Sequence, residues 1–253
     1  MILRLSHLTH AEAASAVERD TVLLLPVGAL EQHGPAMPLG TDTLRAEAVV
    51  DAVAEALGDR VVVGPTVPVG VSPHHLAFAG TMSLRPSTFV TVLREYLESL
   101  AGHGWRRVLV VTGHGGNNAA LGVLAQEVLR DLPEVELAWT PVTALASDHV
   151  ASMGASEVHG HCGEAETSQM LHVASGLVRQ DLLQAGTTVL AELDELSHLV
   201  RTRQYPTMAL PYDRLSTNGV LGDPRRATAD DGRAIIDLAT QRIVDFVTEW
   251  PTG

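Results

Sequence analysis

The stretch TVLLLPVGALEQHG, Thr21 to Gly34, joins a continuous apolar run to a polar loop. The run from Thr21 to Val27 predicts a strand buried on both faces, as strands of parallel sheets are. Ligand crevices of open α/β sheets lie at the carboxyl ends of such strands. Glu31 and His33 are separated by one residue, so in extended backbone both side chains point to the same side. The stretch therefore predicts a parallel sheet and a site at its edge, where a carboxylate and an imidazole lie together.

Strand-like and helix-like segments alternate along most of the chain. The other predicted strands are Arg60–Val63, Arg107–Thr112 and Val135–Thr140. The predicted helices are Asp42–Leu57, which ends at Gly58, and Pro86–Ala101, Asn118–Leu132, Thr167–Ser175 and Asp230–Glu249. The alternation predicts an α/β fold, a three-layer α/β/α sandwich with a mostly parallel central sheet, as a single domain over residues 1–253. The irregular stretch Gln184–Arg226 is expected to form loops and edge structure.

Composition excludes several classes of protein. Of the 253 residues, 45% are hydrophobic, which is enough for a sizeable core. The formal net charge of −13 argues against a nucleic-acid binder and against binding to anionic membrane surfaces. The single Cys excludes an internal disulfide and a thiolate-rich zinc framework, whereas 12 His beside 30 acidic residues suit a site of imidazoles and carboxylates.

We expect neither a targeting segment nor a membrane-spanning segment in this sequence. Residues Met1 to Asp20 contain five charged side chains and lack the apolar core of a signal peptide. No apolar run reaches the 18 or so residues that a bilayer requires. We therefore expect a cytoplasmic protein.

Two further loops offer metal-ligating side chains. Asp42 stands at the start of a predicted helix, where its carboxylate can bridge two ions; the alternative is that it caps the helix and that Glu31 and His33 are ordinary surface residues. His114 lies in the loop TGHGGNN, residues 112–118, whose glycines allow close approach to a ligand. This loop lacks the dinucleotide fingerprint and the P-loop Lys. It could instead cradle an anion at the helix start, with Asn117 or Asn118 as the cap.

The segment HGHCGEAETS, residues 159–168, places His159, His161, Glu164 and Glu166 close together before a helix. The alternative is a capping segment with Thr167 or Ser168 as N-cap, which would not account for the pairs of His and Glu. Cys162 within the segment is expected to be a small packing residue, because no second thiol exists to complete a site.

A fourth loop contains the adjacent pair His74 and His75. The loop could line a pocket. Adjacent His residues in regular backbone cannot easily bind the same metal ion, however, and a single His that is hydrogen-bonded within the loop would explain the pair equally well. Together the loops suit one or two ions of Zn, Mn or Fe, with Asp42 as the bridge of a pair. No G-x-S-x-G elbow of a serine hydrolase is present.

The segments PVGALEQHG…TD, VTGHGGN and H-x-G-x-x-E-T-S together resemble the creatininase (creatinine amidohydrolase) family, in the right order from Thr21 to Leu177. The resemblance implies an α/β/α fold, a dinuclear metal centre, hydrolysis of an amide or similar C–N bond, and a compact homo-oligomer, with a hexamer favoured. Carried over residue by residue, it implies four ligands, which are Glu31, His33, Asp42 as the bridge, and His114. It also implies His161 as the acid/base residue.

The chain departs from creatininase at two points. Creatininase has a metal-binding Glu where this chain has Gly116, so Glu166 or Glu164 is expected to complete the second metal site. We favour Glu166, in the E-T-S motif, as the ligand, which leaves Glu164 as a second catalytic candidate beside His161. Creatininase also surrounds its small cyclic substrate with aromatic residues that this sequence lacks, which predicts an open pocket for a larger substrate.

The later segment NGVLGDP, Asn218 to Pro224, is similar to a subgroup of this family, the mycofactocin precursor peptide peptidases. That resemblance implies release of a C-terminal Val-Tyr dipeptide from a modified precursor peptide. The alternatives are a small-molecule amidohydrolase of the same family, such as a creatininase or a formamide deformylase, and a non-catalytic metal-binding assembly module. A cluster of turns would also account for NGVLGDP, because N-G and D-P are common turn dipeptides.

Overall fold

A four-stranded parallel sheet forms the centre of the computed structural model, which describes residues 2–203 and 206–251. Its strands are β1 Val22–Val27, β2 Val61–Val63, β3 Arg107–Thr112 and β4 Glu136–Pro141. They lie in the order β2-β1-β3-β4, and every neighbouring pair is parallel. The predicted sheet is therefore confirmed, with strand ends that shift by one residue.

Helices pack on both faces of the sheet. Those in the described residues are α1 His10–Glu18, α2 Thr41–Leu57, α3 Pro86–Gly102, α4 Asn118–Asp131, α5 Ser147–Ser152, α6 Glu164–Val173, α7 Glu195–Thr202, α8 Tyr212–Leu215 and α9 Ala229–Glu249. None of the helices in this part of the chain is long and apolar enough to cross a lipid bilayer.

Alternate side chains of each strand enter two separate apolar clusters. Leu23 and Leu25 of β1 pack with side chains of α3 and α4, while Leu24 packs on the opposite face with α2 and α9. Successive strand residues point to opposite faces, so a strand without polar residues is covered on both sides. Burying each Leu or Val contributes about 1.5–3 kcal/mol. The three-layer α/β/α sandwich follows from this pattern.

Two local predictions were wrong. The helix expected over Thr167–Ser175 is α6, Glu164–Val173, which begins directly after Gly163, so the alternative of Thr167 or Ser168 as its N-cap is also excluded. Within the stretch expected to be loops, Asp194 accepts a hydrogen bond from the Ser197 backbone N–H and so starts α7, and α8 also forms there. With eight and four residues, α7 and α8 are shorter than the segments over which a helical pattern can be recognised, which explains why the sequence analysis missed them.

The strand order reverses between β1 and β3. The chain leaves β1 toward β2 on one side, whereas it leaves β3 toward β4 on the other. The two following loops therefore separate and leave a crevice at the carboxyl ends of β1 and β3, where ligands bind in open α/β sheets.

Candidate metal centre

The loop after β1 holds Glu31 and His33 without any solvent exposure of either residue. The Glu31 backbone N–H donates to the Leu39 carbonyl, and His33 Nδ1 donates to the Glu31 carbonyl at 3.1 Å. These bonds fix the loop, so that Glu31, His33 and Asp42 offer ligand atoms within 4.8 Å of one another. The sequence prediction that Glu31 and His33 face the same site agrees with this arrangement.

Asp42, the second residue of α2, meets the loop after β3 through a close backbone contact. A Cβ atom on Gly113 would lie 2.0 Å from the Asp42 carbonyl oxygen, so only glycine allows this approach. The contact brings His114 Nδ1 to 3.4 Å from Asp42 Oδ2 and 3.2 Å from Glu31 Oε1. Asn117 stands at the N-cap position of α4, but its side chain forms no capping bond and instead bonds to the backbone of Val71 and Gly28.

Helix α6 presents two carboxylates in its first turn, and the structure separates their surroundings. Glu166 Oε2 lies 3.8 Å from His33 Nε2, and Glu166 forms a ligand group with His33 and His161. Glu164 instead accepts hydrogen bonds through Oε1 from the backbone N–H and hydroxyl of Ser156. It belongs to none of the ligand groups found among the described residues, so the geometry favours Glu166 over Glu164 as a metal ligand. The catalytic role of Glu164 stays a prediction.

The histidine rings are oriented by backbone carbonyls. His33 Nδ1, His114 Nε2 and His161 Nε2 each donate to a carbonyl oxygen, at 3.1, 3.1 and 2.7 Å respectively. A carbonyl only accepts, so in each neutral ring the other nitrogen has a lone pair. Those nitrogens are the ones nearest to the carboxylates. Metal-ligating histidines are commonly held in this way.

The buried carboxylates and imidazoles of the site are suited to bind a cation. Among the described side chains, Glu31 Oε1 and Oε2, His33 Nε2 and Asp42 Oδ2 are buried and form no hydrogen bond. Buried charges without partners are costly unless they are paired or coordinate a metal. One ligand atom from each of the three residues lies within 4.8 Å of the other two, so bound divalent cations would provide the partners that these atoms lack.

The close packing of charged side chains shifts several pKa values in the metal-free protein. Burial lowers the pKa of His33, but the nearby negative charge of Asp42 outweighs it and raises that pKa to about 9. Burial and the neighbouring Asp42 raise the pKa of Glu31. Burial and the charge of His33 lower the pKa of His161 to about 3, so this ring is neutral. Protons on His33 therefore occupy a position that a cation would take.

Arg45 is a residue of the site that sequence reasoning missed. Its fully buried guanidinium donates through Nη1 to Glu166 Oε1 at 2.8 Å and to Asp42 Oδ1 at 3.2 Å. Nε donates to Gln169 Oε1 at 2.9 Å. Asp42 and Arg45 are three residues apart on α2, which brings them to one face, but an i, i+3 pair is common on helix surfaces and was no signal by itself.

Gln32 was also missed, because the residue between Glu31 and His33 points to the opposite side in an extended backbone. Its Oε1 accepts from the Gly34 backbone N–H, while its Nε2 donates to the Gly219 carbonyl and to His75 Nδ1 at 2.9 Å. The amide thereby ties the loop after β1 to the NGVLGDP segment. That segment thus serves as a structural support for the site.

A cavity of about 380 Å³ opens over these side chains. Tyr212 lies in its wall, with its ring centroid 4.1 Å from that of His75 and 5.1 Å from that of His161. The expectation of a pocket without aromatic residues was therefore wrong. Tyr212 comes from α8, in a stretch without a recognised motif, so no sequence signal pointed to it. The lining includes His74, His75, His114, His159, His161, Glu164, Glu166 and Tyr212.

Comparison with known proteins agrees with this geometry. The family model for creatininase, described as creatinine amidohydrolase, matches residues 6–247. The chain belongs to the creatininase family. It is accordingly a hydrolase that acts on C–N bonds, and the predicted family membership is confirmed.

Similar proteins within the creatininase family include two kinds of hydrolase. The mycofactocin precursor peptide peptidase of Mycolicibacterium smegmatis is 36% identical over 233 residues, covering 90% of this chain and 85% of that protein. The creatinine amidohydrolase of Pseudomonas putida is 29% identical over 250 residues, covering 91% of this chain and 90% of that protein. A solved structure described as "Creatininase Mn" matches with a TM-score of 0.83 and 26% identity, covering 100% of both chains. Together with the converging ligand atoms, these likenesses support divalent metal binding in this family member.

Proposed function

We propose that this protein is a dinuclear metal-dependent peptidase that releases a C-terminal Val-Tyr dipeptide from a modified precursor peptide in mycofactocin biosynthesis. The observation that carries the proposal is the convergence of unpaired, buried ligand atoms of Glu31, His33 and Asp42 beside an open cavity. The likeness to the mycobacterial peptidase over most of both chains supports the choice of substrate.

The site offers two sets of ligands that share Asp42. Glu31, Asp42 and His114 would hold one ion, with His114 Nδ1 between the two carboxylates. His33, Asp42 and Glu166 would hold the other, with His33 Nε2 3.5 Å from Asp42 Oδ1. Bound divalent ions supply Lewis acidity, which polarises a carbonyl and lowers the pKa of water.

His161 is the residue that we propose to move a proton. Its Nε2 donates to the Gln32 carbonyl at 2.7 Å, which leaves Nδ1 directed toward Glu31 and Glu166. The neutral ring can accept a proton at Nδ1 and deliver it to the leaving nitrogen of the amide. Glu164 lines the same cavity and stays a predicted second catalytic residue.

Imidazole and carboxylate ligands without a thiolate suit Zn, Fe or Mn. Arg45 keeps two of the carboxylates in position and neutralises part of their charge when no ion is bound. This buried cation helps to explain how acidic side chains can cluster inside the fold.

A small-molecule amidohydrolase is the second candidate function. The Pseudomonas putida creatinine amidohydrolase is similar over 91% of this chain, and the Tyr212 ring beside His75 and His161 could pack against a small flat substrate. Such an enzyme would hydrolyse creatinine or a formamide and leave a peptide intact.

One experiment separates these functions. The protein is freed of metal with a chelator, reloaded with Zn²⁺, Fe²⁺ or Mn²⁺, and incubated with the modified precursor peptide, with creatinine and with a formamide. Mass spectrometry should detect free Val-Tyr only with the loaded enzyme, and a precursor peptide whose C-terminus is amidated serves as the substrate control. Turnover of creatinine or formamide without dipeptide release would favour the second candidate, and no turnover of any substrate would favour a non-catalytic binding module.

We also propose a homo-oligomer, with a hexamer favoured, built from one domain over residues 1–253. The edge strand β4 and the nearby helix α9 support an assembly, because Trp139 and Phe246 are exposed by 37% and 47% beside an apolar groove. Exposed strand edges with apolar residues are typical contact surfaces. The cytoplasmic location stays a prediction.

A further inference from the structure

Two adjacent imidazoles stand in one wall of the cavity, on the 3₁₀ turn Pro73–His75. A 3₁₀ turn rotates each residue by about 120° relative to the previous one, so neighbours face different partners. The ring centroids of His74 and His75 are 4.3 Å apart and their planes are inclined by 49°. The two side chains therefore have to be considered separately.

His75 has one ring nitrogen in a hydrogen bond and the other close to the Glu31 carboxylate. Its Nδ1 lies 2.9 Å from Gln32 Nε2, an amide nitrogen that only donates, so Nδ1 accepts. The proton of the neutral ring is then on Nε2, 3.4 Å from Glu31 Oε1. His75 forms a ligand group with Glu31 and His161, but with the proton on Nε2 and Nδ1 bonded to Gln32 it has no free lone pair for a metal, so we take it as a positioning residue for the Glu31 carboxylate.

His74 has a different environment. Neither of its ring nitrogens forms a hydrogen bond within residues 2–203 and 206–251, and the residue is only partly exposed. Its ring stacks on that of His114, with centroids 5.5 Å apart and planes inclined by 10°. One of its nitrogens lies within 4.8 Å of ligand atoms of Glu31 and His114.

The three residues that directly follow His114 in its loop offer no further ligand to the same ion. Positions 115 and 116 are glycines, and a Cβ on Gly116 would lie 2.2 Å from His114 Nε2 and 2.7 Å from the Val71 carbonyl. The Asn117 side chain is committed to the backbone of Val71 and Gly28. An additional ligand must therefore come from another element, and the turn Pro73–His75 is packed against this position.

We propose that His74 is a fourth protein ligand of the ion that Glu31, Asp42 and His114 would hold. The inference rests on the proposed metal-dependent function and adds an imidazole to one of the two ions. An added imidazole favours borderline ions such as Zn²⁺ and Fe²⁺ over Mn²⁺. The two ions would therefore differ in selectivity, because the set of His33, Asp42 and Glu166 has one imidazole and the other set has two.

Metal titration without any substrate tests this assignment. The chelator-treated wild type, His74→Ala and His74→Gln are titrated with Mn²⁺, with free Mn²⁺ followed by electron paramagnetic resonance, and separately with Co²⁺, with the visible spectrum as a report on coordination. His159→Ala is the matched control, because it removes another imidazole of the cavity that is in none of the ligand groups of the described residues. Circular dichroism and thermal unfolding verify that each variant is folded.

We expect both His74 variants to lower the affinity for one of the two ions and to leave the affinity for the other unchanged. The loss should be at least the 10- to 100-fold that follows from removal of a residue that only hydrogen-bonds to a metal ligand. The Co²⁺ spectrum should change for that ion alone, and added imidazole should restore part of the affinity in His74→Ala. His159→Ala should bind both ions as the wild type does. Equal affinities in wild type and His74→Ala, or an equal loss in His159→Ala, would overturn the assignment.

The outcomes also separate this inference from the proposed function. If the wild type binds two ions and His74→Ala binds them equally well, only the role of His74 fails. If the wild type binds no divalent ion, the metal-dependent function fails and the inference fails with it. If the peptide is not cleaved but the titration behaves as expected, the role of His74 stands and the peptidase proposal fails.

Discussion

Replacing Arg45 with Met should strongly destabilise the metal-free protein. Arg45 is fully buried, and its Nη1 donates to Glu166 Oε1 at 2.8 Å, to Asp42 Oδ1 at 3.2 Å and to the Gly113 carbonyl at 3.2 Å. The substitution leaves the buried Asp42 carboxylate and the partly buried Glu166 carboxylate without this cation. Breaking a buried ion pair by removing one partner costs about 3–5 kcal/mol. For a domain of this size that loss corresponds to a fall in Tm of about 6–20 °C.

Arg94→Met is the matched control for this prediction. Arg94 also contacts three carboxylates, those of Glu98, Glu127 and Asp131, at 2.8, 3.2 and 3.0 Å, but a third of its side chain is exposed. Exposed ion pairs contribute only about 0–1 kcal/mol each, so this variant should lose little stability.

Urea and thermal unfolding of the chelator-treated proteins, followed by circular dichroism, measure both effects. Added Mn²⁺ should recover part of the stability lost in Arg45→Met, because a bound cation takes over the neutralisation of the carboxylates. A metal-free Arg45→Met protein within about 1 kcal/mol of the wild type would refute the reasoning, since a buried pair cannot be broken at so low a cost.

Four further predictions follow from the same geometry. Asp42→Ala should lose both ions by elemental analysis, with the exposed Asp59→Ala as control, and two retained ions would exclude a bridging carboxylate. Glu166→Gln should lose one ion while Glu164→Gln keeps both, and the reverse result would assign the second ion to Glu164. His161→Ala should keep both ions yet lose turnover by about 10²–10⁴-fold, whereas loss of an ion would make His161 a ligand. In the metal-free protein the charge of Asp42 raises the pKa of His33 to about 9, and hydrogen bonds to Asp42 and Glu31 outweigh burial and raise the pKa of His114, so bound protons compete with the metal at neutral pH. Mn²⁺ affinity should therefore rise by about tenfold or more per pH unit from pH 7 to 9, and a flat profile would contradict this competition.

The residues of the loops after β1 and β3 were accessible to sequence reasoning because their signals are local. A strand without polar residues, followed at once by Glu31 and His33, needs no knowledge of distant residues to be recognised. The same holds for His114 after β3 and for Asp42 at the start of α2. Parallel strands then bring these positions to one edge, which is a general property of open α/β sheets.

The supporting residues of the site were not accessible in this way. Arg45 meets Glu166 across 121 positions of the chain, and His161 meets Gln32 across 129. Tyr212 belongs to a short helix whose own sequence gives no hint that its ring lies on His75. Contacts of this kind depend on how α2, α6 and α8 pack, and this packing cannot be inferred from the hydrophobic periodicity of the sequence.

By itself, the sequence determined the layered α/β/α fold, the family and the set of candidate imidazole and carboxylate ligands. These features depend on strand and helix patterns and on loop motifs, each of which can be recognised within a short run of consecutive residues. Tertiary structure alone decided which members of that set converge. It placed Glu166 among the ligand groups and Glu164 beside Ser156, although both lie in one helical turn. It also gave His74 and His75 different partners, although they are adjacent. The physical reason is that ring orientation and ligand direction are set by hydrogen bonds to distant backbone, such as those of His114 to Val71 and of His161 to Gln32, which only the folded chain provides.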